Sequence, residues 1–405
     1  MILRTQAAAL ITDVTGLTFG GFQSLLAARA EAAANWIVRS IDACGGEGSS
    51  AFYSRIYHPL RGWAPPYPET TGYIIPTLID YSRFARRREL VDLAVMQARW
   101  VMTLQYLDGA LPGGFLVRGV KAGPSIFNTG QMILGLVAAS DTTSDQAFLQ
   151  GAASSARWLA DELNDPAGIW TTHAYVAGYA PAYYTRVCWP MLEVWQRTRE
   201  ERIRQKALRV LGTISGWQLD DGTFRNWSFR PNRPAFTHTI AYTIRGLLES
   251  GRILGDEGRR FVQQAAKAAL TLRRQLEQNG RLAGAYGPGL AGHYWYTCLT
   301  GNCQLAIIWL KLARLTGDIE YLRAALQAVW FVIRRQRMGF CRGRNVRGAI
   351  AGSSPLWGRY LFVRYPNWAA KFFIDAILET HHLLQDAAAP TDDAYVPGDA
   401  PILTS

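Results

Sequence analysis

Long apolar runs and cysteine pairs with CxxC spacing are missing from this 405-residue sequence, and we do not expect a secretory signal. No stretch approaches the roughly 18 uninterrupted apolar residues of a membrane span, so we expect a soluble protein without a transmembrane segment. Asp13 interrupts the apolar start and no cleavage site follows it, which leaves a cytoplasmic location as the expectation. The cysteines show no CxxC spacing and indicate neither a disulfide framework nor a metal site; they are Cys44, Cys188, Cys298, Cys303 and Cys341. No cofactor is predicted.

Lysine is scarce as well. Only 5 of the 43 basic residues are Lys, and the net charge is +12. The guanidinium group of Arg binds carboxylates and phosphates through two hydrogen bonds and stacks on aromatic rings, so this bias suits an anionic partner. A GC-rich genome that favours Arg codons is the alternative explanation. The basic residues are scattered, without a helix-turn-helix, zinc finger or RNA-binding aromatic motif, so nucleic acid is not expected as a partner.

Glycine-containing turns recur at a nearly constant spacing. Gly48, Gly109, Gly168, Gly222 and Gly280 lie 61, 59, 54 and 58 residues apart, which is typical of a repeated supersecondary unit. Each turn follows a helix with one apolar face, and each is followed by a loop and by a second helix that is apolar nearly all round. The first kind of helix belongs on the outside of a fold and the second kind inside it.

The repeat predicts six outer helices, at 23–43, 88–106, 145–163, 199–216, 257–277 and 319–337, and six inner helices, at 71–86, 129–140, 185–198, 238–254, 300–316 and 367–384. Twelve antiparallel helices bury all their apolar faces by closing into a ring. We therefore predict an all-α (α/α)6 toroid, with six helical hairpins and two concentric helix rings. It spans residues 23–385, after an N-terminal extension at 1–22 and before a flexible C-terminal tail at 386–405.

The connections from outer to inner helices are long and emerge at one end of the predicted ring. They are rich in Tyr, Trp, Asn and Arg, which suits a sugar because its C–H faces pack on aromatic rings while its polar groups receive hydrogen bonds. We predict an acidic oligo- or polysaccharide as the partner; a core of the loop layer itself is the alternative role for these aromatics. Candidate substrate-binding residues are Trp63, Tyr67, Tyr73, Trp189, Arg245, Tyr296, Asn302, Arg347, Trp357, Tyr360, Trp368 and Lys371.

Carboxylates are few in these connections. A glycosidase requires two of them beside the scissile bond, and Glu69 would have to pair with Asp221, which is also explained as a turn residue. Removing the proton at carbon 5 of a uronate requires a base, an acid and a group that neutralises the substrate carboxylate. The candidate catalytic residues are His238, Tyr242, Tyr184, Arg186, Glu69 and Asn128. A structural helix cap is the alternative role for His238.

Five segments carry a family resemblance: PETTGYIIPTLIDY, FNTGQMILGL, HTIAYTIRGLLESG, CLTGNCQLAIIWLKL, and WGRY with NWAAKFFIDAIL. They resemble a family of α/α-toroid proteins associated with bacterial capsule and exopolysaccharide biosynthesis. The arrangement is more distantly similar to glucuronyl C5-epimerases and toroid polysaccharide lyases, which implies uronate chemistry. Three functions stay open: carbon-5 proton abstraction by an epimerase or lyase, a glycoside hydrolase using Glu69, and a non-catalytic glycan-binding subunit of polysaccharide biosynthesis. The oligomeric state is not predicted.

Overall fold

A computed structural model describes residues 2–56, 62–339 and 343–387. Its helices are α1 (Arg4–Thr15), α2 (Phe19–Asp42), α3 (Pro68–Ala85), α4 (Glu89–Thr103), α5 (Ile126–Thr143), α6 (Gln146–Asp161), α7 (Thr185–Thr198), α8 (Glu201–Ser215), α9 (Thr237–Leu254), α10 (Arg259–Asn279), α11 (Leu299–Thr316), α12 (Ile319–Ile333) and α13 (Asn367–Asp386). Short strands are β1 (Phe52–Tyr53), β2 (Ala235–Phe236), β3 (Ala285–Tyr286), β4 (Thr297–Cys298), β5 (Ser353–Ser354) and β6 (Tyr365–Pro366).

The helices form two concentric rings. Helices α3, α5, α7, α9, α11 and α13 contact one another in that order, and α13 returns to α3. Helices α2, α4, α6, α8, α10 and α12 pack around them. The predicted (α/α)6 toroid is confirmed, and each of the twelve predicted helices agrees with the structure to within 4 residues at either end.

The predicted apolar faces are where the ring requires them. Phe261, Ala265, Ala268, Leu272 and Leu276 of the outer helix α10 are buried, and its other positions are mostly exposed. The inner helix α11 is buried over nearly its whole length, because one side faces the ring axis and the other faces the outer helices. The pattern of burial therefore distinguishes the two classes of helix: the outer helix is buried along one face, at the helical period of 3.6 residues, and the inner helix is buried on nearly all sides.

Helix α1 packs against both α12 and α2, the last and the first helices of the outer ring. Ala7, Leu10 and Ile11 are its buried residues, and Asp13 forms an ion pair with Arg323 of α12. Residues 1–22 thus contribute a helix to the outer layer. The division of the chain into extension, toroid and tail stays a prediction, and residues 388–405 of the predicted tail lie outside the described residues, as does Cys341.

A sixth glycine turn closes the outer layer. It lies outside the near-constant spacing of the other five turns, so the repeat did not predict it. Gly348 has a positive φ of 86°, and a Cβ there would lie 1.9 Å from the carbonyl oxygen of Ala32 in α2. Gln336 Nε2 donates to Arg29 O of α2 at 2.9 Å, just as Gln105 Nε2 donates to the carbonyl of Gly151 in the next outer helix at 2.8 Å. The last turn thus makes the same glutamine-to-carbonyl hydrogen bond as an earlier turn. Its partner is the first outer helix, whereas the partner of the earlier turn is the next outer helix in the chain.

Three small antiparallel ladders join the long connections to one another: β1 with β6, β2 with β3, and β4 with β5. In the first of them Phe52 pairs with Pro366, so the ladder links the first connection to the last. Because β2, β4 and β6 each end where an inner helix begins, the ladders fix the connections over the N-terminal ends of the inner helices. In the described ranges, no helix is both long enough and apolar enough to span a bilayer.

Candidate active site

A cavity of about 680 Å³ lies at the N-terminal ends of the inner helices, and we call it the mouth cavity. Its lining is mainly aromatic. Four of the inner helices, α3, α5, α9 and α13, supply a polar or aromatic residue from their first turns, as Glu69, Asn128 and His238 do. The lining residues include Tyr67, Glu69, Thr70, Tyr73, Phe115, Phe127, Asn128, Tyr175, Tyr183, Phe229, His238, Tyr242, Tyr360 and Trp368.

Glu69 is the one carboxylate among the described residues that line this cavity. It is the second residue of α3, and its side chain is buried. The hydroxyl of Tyr67 donates a hydrogen bond to Glu69 Oε2. In the amide orientation that satisfies all its neighbours, Asn128 Nδ2 donates to the same oxygen at 3.0 Å while its Oδ1 accepts from Gly114 N–H at 3.1 Å. Two donors therefore hold this carboxyl group in a fixed orientation.

The pKa of Glu69 is well matched to proton transfer at neutral pH. Burial raises it from its ordinary 4.5 to about 7, although the hydrogen bond from Tyr67 and the charge of Arg186 both lower it. Desolvation penalises the ionised form of a carboxyl group, which is why it outweighs both opposing effects here. A group with a pKa near the working pH is the most efficient general acid or base, so Glu69 is equipped to take a proton and to return it.

His238 lies in the first turn of α9 and is only 4% exposed. Its Nδ1 lies 2.9 Å from Gln304 Oε1. Because that amide oxygen accepts, Nδ1 carries the hydrogen and Nε2 keeps a free lone pair. Burial lowers the pKa of His238 to about 3; the bond to Gln304 opposes this and the charge of Arg186 adds to it. His238 is therefore a neutral hydrogen-bond acceptor, and the rings of Tyr242 and Tyr360 lie 4.3 and 5.2 Å from it.

Arg186 lies beneath the cavity floor. Its guanidinium carbon is 4.9 Å from the ring centroid of Tyr242 and 5.6 Å from that of Phe372, and its Nε donates to Gln131 Oε1 at 3.1 Å. No described carboxylate pairs with it. Its charge lowers the pKa of both Glu69 and His238, so it reaches the cavity electrostatically although it does not line it.

The structure brings eight of the predicted site residues together at the mouth cavity. They are Glu69, Asn128, His238 and Tyr242 of the candidate catalytic set, and Tyr67, Tyr73, Tyr360 and Trp368 of the candidate substrate-binding set.

Four other candidates face the opposite end of the ring instead. Arg186, Trp189, Arg245 and Lys371 line a separate cavity of about 450 Å³, and Tyr73 lies between the two cavities. Arg186, Trp189 and Lys371 belong to the first two turns of their helices, but their side chains line the far cavity. For Arg245 the reason is depth along the helix, because each residue adds about 1.5 Å of rise. Arg245 is the ninth residue of α9 and so lies roughly 12 Å below the helix start, too deep to reach the mouth.

Three further candidates are packed inside the protein. Tyr184 is buried against Trp170, Trp63 packs on Trp36, and Asn302 Nδ2 donates to a carbonyl one turn earlier, at 2.8 Å. None of the three lines the mouth cavity. Tyr184 and Trp63 pack in the protein interior, which is close to the alternative role that the sequence left open for the aromatic residues. Asn302 satisfies a backbone carbonyl at the start of α11.

The last three candidates lie beside the cavity or at the surface. Tyr296 lines a neighbouring side pocket, Arg347 is exposed next to the turn at Gly348, and Trp357 is 63% exposed. A loop sequence does not reveal which of its residues fold inward. The geometry therefore places six of the 18 candidates in neither of the two axial cavities.

Sequence reasoning missed several residues of the site. Tyr183 lines the cavity whereas its neighbour Tyr184 does not, because the short 3-10 turn at 182–184 rotates the two side chains apart. Gln304 fixes the tautomer of His238 from one turn inside α11. Its position in the CLTGNCQ segment was the available signal, since it repeats the polar residue that other inner helices carry near their starts.

Comparison with known proteins places the fold. No protein-family model matches the chain, and no curated protein is detectably similar in sequence. Solved structures match over most of the chain. An unsaturated glucuronyl hydrolase specific for heparin is 13% identical, with 89% of this chain and 98% of that one covered and a TM-score of 0.70.

Two further structures are similar to the same extent. A cellobiose 2-epimerase from Bacillus thermoamylovorans is 11% identical, with 89% of this chain and 99% of that one covered and a TM-score of 0.68. An unsaturated glucuronyl hydrolase from a Bacillus species, responsible for the degradation of glycosaminoglycan, is 14% identical, with 86% of this chain and 95% of that one covered and a TM-score of 0.67. None of these matches links the chain to capsule or exopolysaccharide biosynthesis, so that part of the resemblance is not supported. The chain has the α/α-toroid fold that these hydrolases and this epimerase share.

Proposed function

We propose that this protein is a carbohydrate-active enzyme that moves a proton at carbon 5 of a uronate, with Glu69 as the group that takes the proton. The observation that carries the proposal is a single buried carboxyl group with a pKa of about 7 in an aromatic cavity. The similar solved structures, which are glucuronyl hydrolases and a cellobiose 2-epimerase, support a sugar substrate.

The lining of the cavity supports sugar binding. The rings of Tyr67, Phe115 and Trp368 meet edge to face, with centroids 5.1 and 6.2 Å from that of Tyr67. Such rings offer flat apolar surfaces to the C–H groups of a pyranose, and the tyrosine hydroxyls and Asn128 offer hydrogen bonds to its oxygens. The cavity volume of about 680 Å³ is in the range of small-ligand sites.

The proposed step begins with ionised Glu69. Its carboxylate removes the carbon-5 proton, and the electron pair moves into the adjacent carboxylate of the substrate. In an epimerase a tyrosine hydroxyl then donates its proton to the opposite face of carbon 5. In a lyase the electron pair instead forms a double bond between carbons 4 and 5 and expels the oxygen on carbon 4, which takes the tyrosine proton. Burial raises the pKa of Tyr242, so this phenol keeps its proton at neutral pH and is available as the acid.

The surroundings stabilise the negative charge that develops. The inner helices direct the positive ends of their dipoles toward the mouth, and Arg186 adds a full charge from below. His238 was one of the candidate catalytic residues from the sequence, and a base is one role that a histidine can take. With a pKa of about 3 it is too weak a base for that role, and we assign it to accept a hydrogen bond from a sugar hydroxyl through Nε2.

Heavy water tests this proposal. The enzyme is incubated with a panel of uronate oligosaccharides in deuterium oxide, and NMR measures two products: deuterium at carbon 5, which an epimerase leaves, and a carbon 4–carbon 5 double bond, which a lyase leaves. One of the two is expected with the wild-type protein and neither with Glu69→Gln. The matched control is Glu249→Gln, another buried glutamate but one that lies at the opposite end of the ring, and it should retain the wild-type reaction. Absence of both products with every uronate tested would refute the proposal.

A glycoside hydrolase that uses Glu69 as its acid is the second candidate. A carboxyl group half protonated at pH 7 and the names of the similar hydrolases favour it. The expected second carboxylate weighs against it, because Asp221 accepts hydrogen bonds from Thr223 N–H at 2.9 Å and from the Thr223 hydroxyl at 2.6 Å within its own turn. Release of reducing ends with neither carbon-5 deuterium nor a carbon 4–carbon 5 double bond would select this candidate. Binding with no covalent change in the glycan would select the non-catalytic one.

A further inference from the structure

Two side pockets adjoin the mouth cavity. One, of about 280 Å³, shares Tyr175 and Phe229 with it, and the other, of about 460 Å³, shares Phe229, Tyr360 and Leu361. The shared residues place both pockets directly beside the mouth cavity, within reach of a sugar chain that extends out of it. The side pockets are therefore placed where the neighbours of a reacting sugar would lie.

These pockets are rich in arginine. Arg230, Arg233 and Arg359 line the smaller pocket, and Arg359 and Arg364 line the larger. No carboxylate is among the described residues of either lining. The mouth cavity contains no Arg or Lys among its described lining residues, so the positive charge is concentrated beside the reacting position and not at it.

The four guanidinium groups make no ion pair with any residue that the structure describes. Surface arginines elsewhere do so, as Arg157 does with Glu200 at 2.7 Å. Three of them lie against aromatic rings instead: Arg230 is 5.7 Å from the centroid of Tyr175, Arg359 is 5.8 Å from that of Trp295, and Arg364 is 4.6 Å from that of Phe52. Stacking on a ring leaves the N–H edge of a guanidinium free to bind an oxyanion. Positive charges that line two adjoining pockets, without a carboxylate among the described lining residues, favour an anionic ligand.

We propose that Arg230, Arg233, Arg359 and Arg364 form an anion subsite that binds carboxylate or sulfate groups on the sugars flanking the reacting uronate. The substrate is accordingly a polyanionic oligosaccharide and not a single uronate with neutral neighbours. This inference rests on the proposed function in that the mouth cavity takes the reacting sugar. Arginine supplies the paired donors that both oxyanions accept, which is why it suits either group.

The test replaces the three exposed members together, as Arg230→Ala/Arg233→Ala/Arg359→Ala. Affinity is measured by calorimetry, over a range of salt concentrations, for three hexasaccharides: one with carboxylates, one with sulfates and one neutral. We expect the triple variant to bind at least one anionic hexasaccharide about tenfold or more weakly, with a smaller salt dependence, since charge-assisted hydrogen bonds are lost. Binding of the neutral hexasaccharide should not change. Which anionic hexasaccharide is affected identifies the group that the subsite binds.

The control is a second triple variant with the same change in net charge, Arg88→Ala/Arg99→Ala/Arg274→Ala. All three residues are exposed, and none lines the mouth or a side pocket. Circular dichroism verifies that both variants fold.

Equal affinity of the two variants for the anionic hexasaccharides would overturn the proposal. So would an equal loss with the neutral one, or a wild-type protein that binds no anionic hexasaccharide. The two proposals fail separately: if the wild-type protein gives neither carbon-5 exchange nor a carbon 4–carbon 5 double bond, but anion affinity falls in the first triple variant alone, the subsite stands and the proposed function fails.

Discussion

Replacing Glu69 by Gln should stabilise the protein, and by an amount that grows with pH. The pKa of Glu69 is about 7 in the folded protein against an ordinary 4.5. Since one pKa unit corresponds to 1.36 kcal/mol, ionising this group after folding costs about 3 kcal/mol more than in the unfolded chain. The folded state binds the proton more tightly, so the free energy of unfolding of the wild type falls as pH rises from 4.5 through 7. Glutamine cannot ionise and escapes that loss.

The expected gap between Glu69→Gln and the wild type is therefore small at pH 5 and about 3 kcal/mol at pH 8. For the roughly 380 described residues this corresponds to roughly 4 °C in the thermal midpoint, measured by scanning calorimetry. Infrared difference spectra of the two proteins should also show a protonated carboxyl band that disappears with a midpoint near pH 7. If Glu69 is the base, kcat/KM should rise over the same range and fall about 100-fold or more in the variant.

Two results would refute this reasoning. A stability gap that does not change between pH 5 and pH 8 would mean that Glu69 titrates alike in both states. A carboxyl band that disappears near pH 4.5 would mean that burial does not raise its pKa, and Glu69 would then have no special fitness for proton transfer at neutral pH.

Three further predictions follow from the same structure. Burial disfavours ionised Glu249, but three cations outweigh it and lower its pKa to about 2; Glu249→Gln should thus destabilise the protein by about 3 kcal/mol at pH 7, an effect that shrinks as pH falls from 4.5 toward 2 in calorimetry. Tyr67→Phe removes a hydrogen bond that lowers the pKa of Glu69, so the infrared midpoint of Glu69 should move above pH 7, and an unmoved midpoint would show that this bond is not felt. Gly348→Ala should lower the free energy of unfolding several times more than Gly280→Ala, because both glycines have positive φ but only a Cβ at Gly348 would meet a neighbouring backbone. Gly280→Ala alone should cost about 1 kcal/mol in thermal unfolding. Equal costs would contradict the closure described for the sixth turn.

The fold could be predicted because its two signals are local. The helical period marked inner and outer helices, and five turn glycines at near-constant spacing marked the repeat. The sixth turn escaped because Gly348 lies 68 residues beyond Gly280, outside that spacing. Its partner is α2, more than 300 residues away, and no local pattern reports such a contact.

The site was predicted less completely. The starts of the inner helices were the right places to look, and Glu69, Asn128 and His238 lie there. Arg245 was expected beside them, because residue types were considered without the depth that each helical turn adds. Lys371 was expected there too, but its side chain lines the cavity at the opposite end of the ring. The pKa values of Glu69 and His238 depend on burial by residues from several helices, which one sequence does not display.

Closure of the ring also dictates when the site comes into existence during synthesis. Residues 52–53 pair with residues 365–366, and α13 packs against both α2 and α3. A nascent chain that lacks α13 is an open arc whose apolar inner edges face solvent, a form that associates readily with other copies. Trp368 lines the mouth cavity, and the ring of Phe372 packs against His238 and Tyr242. Both leave the ribosome among the last of the described residues. The mouth cavity is thus the final part of the molecule to assemble, and truncation within α13 disrupts it whatever the state of the preceding hairpins.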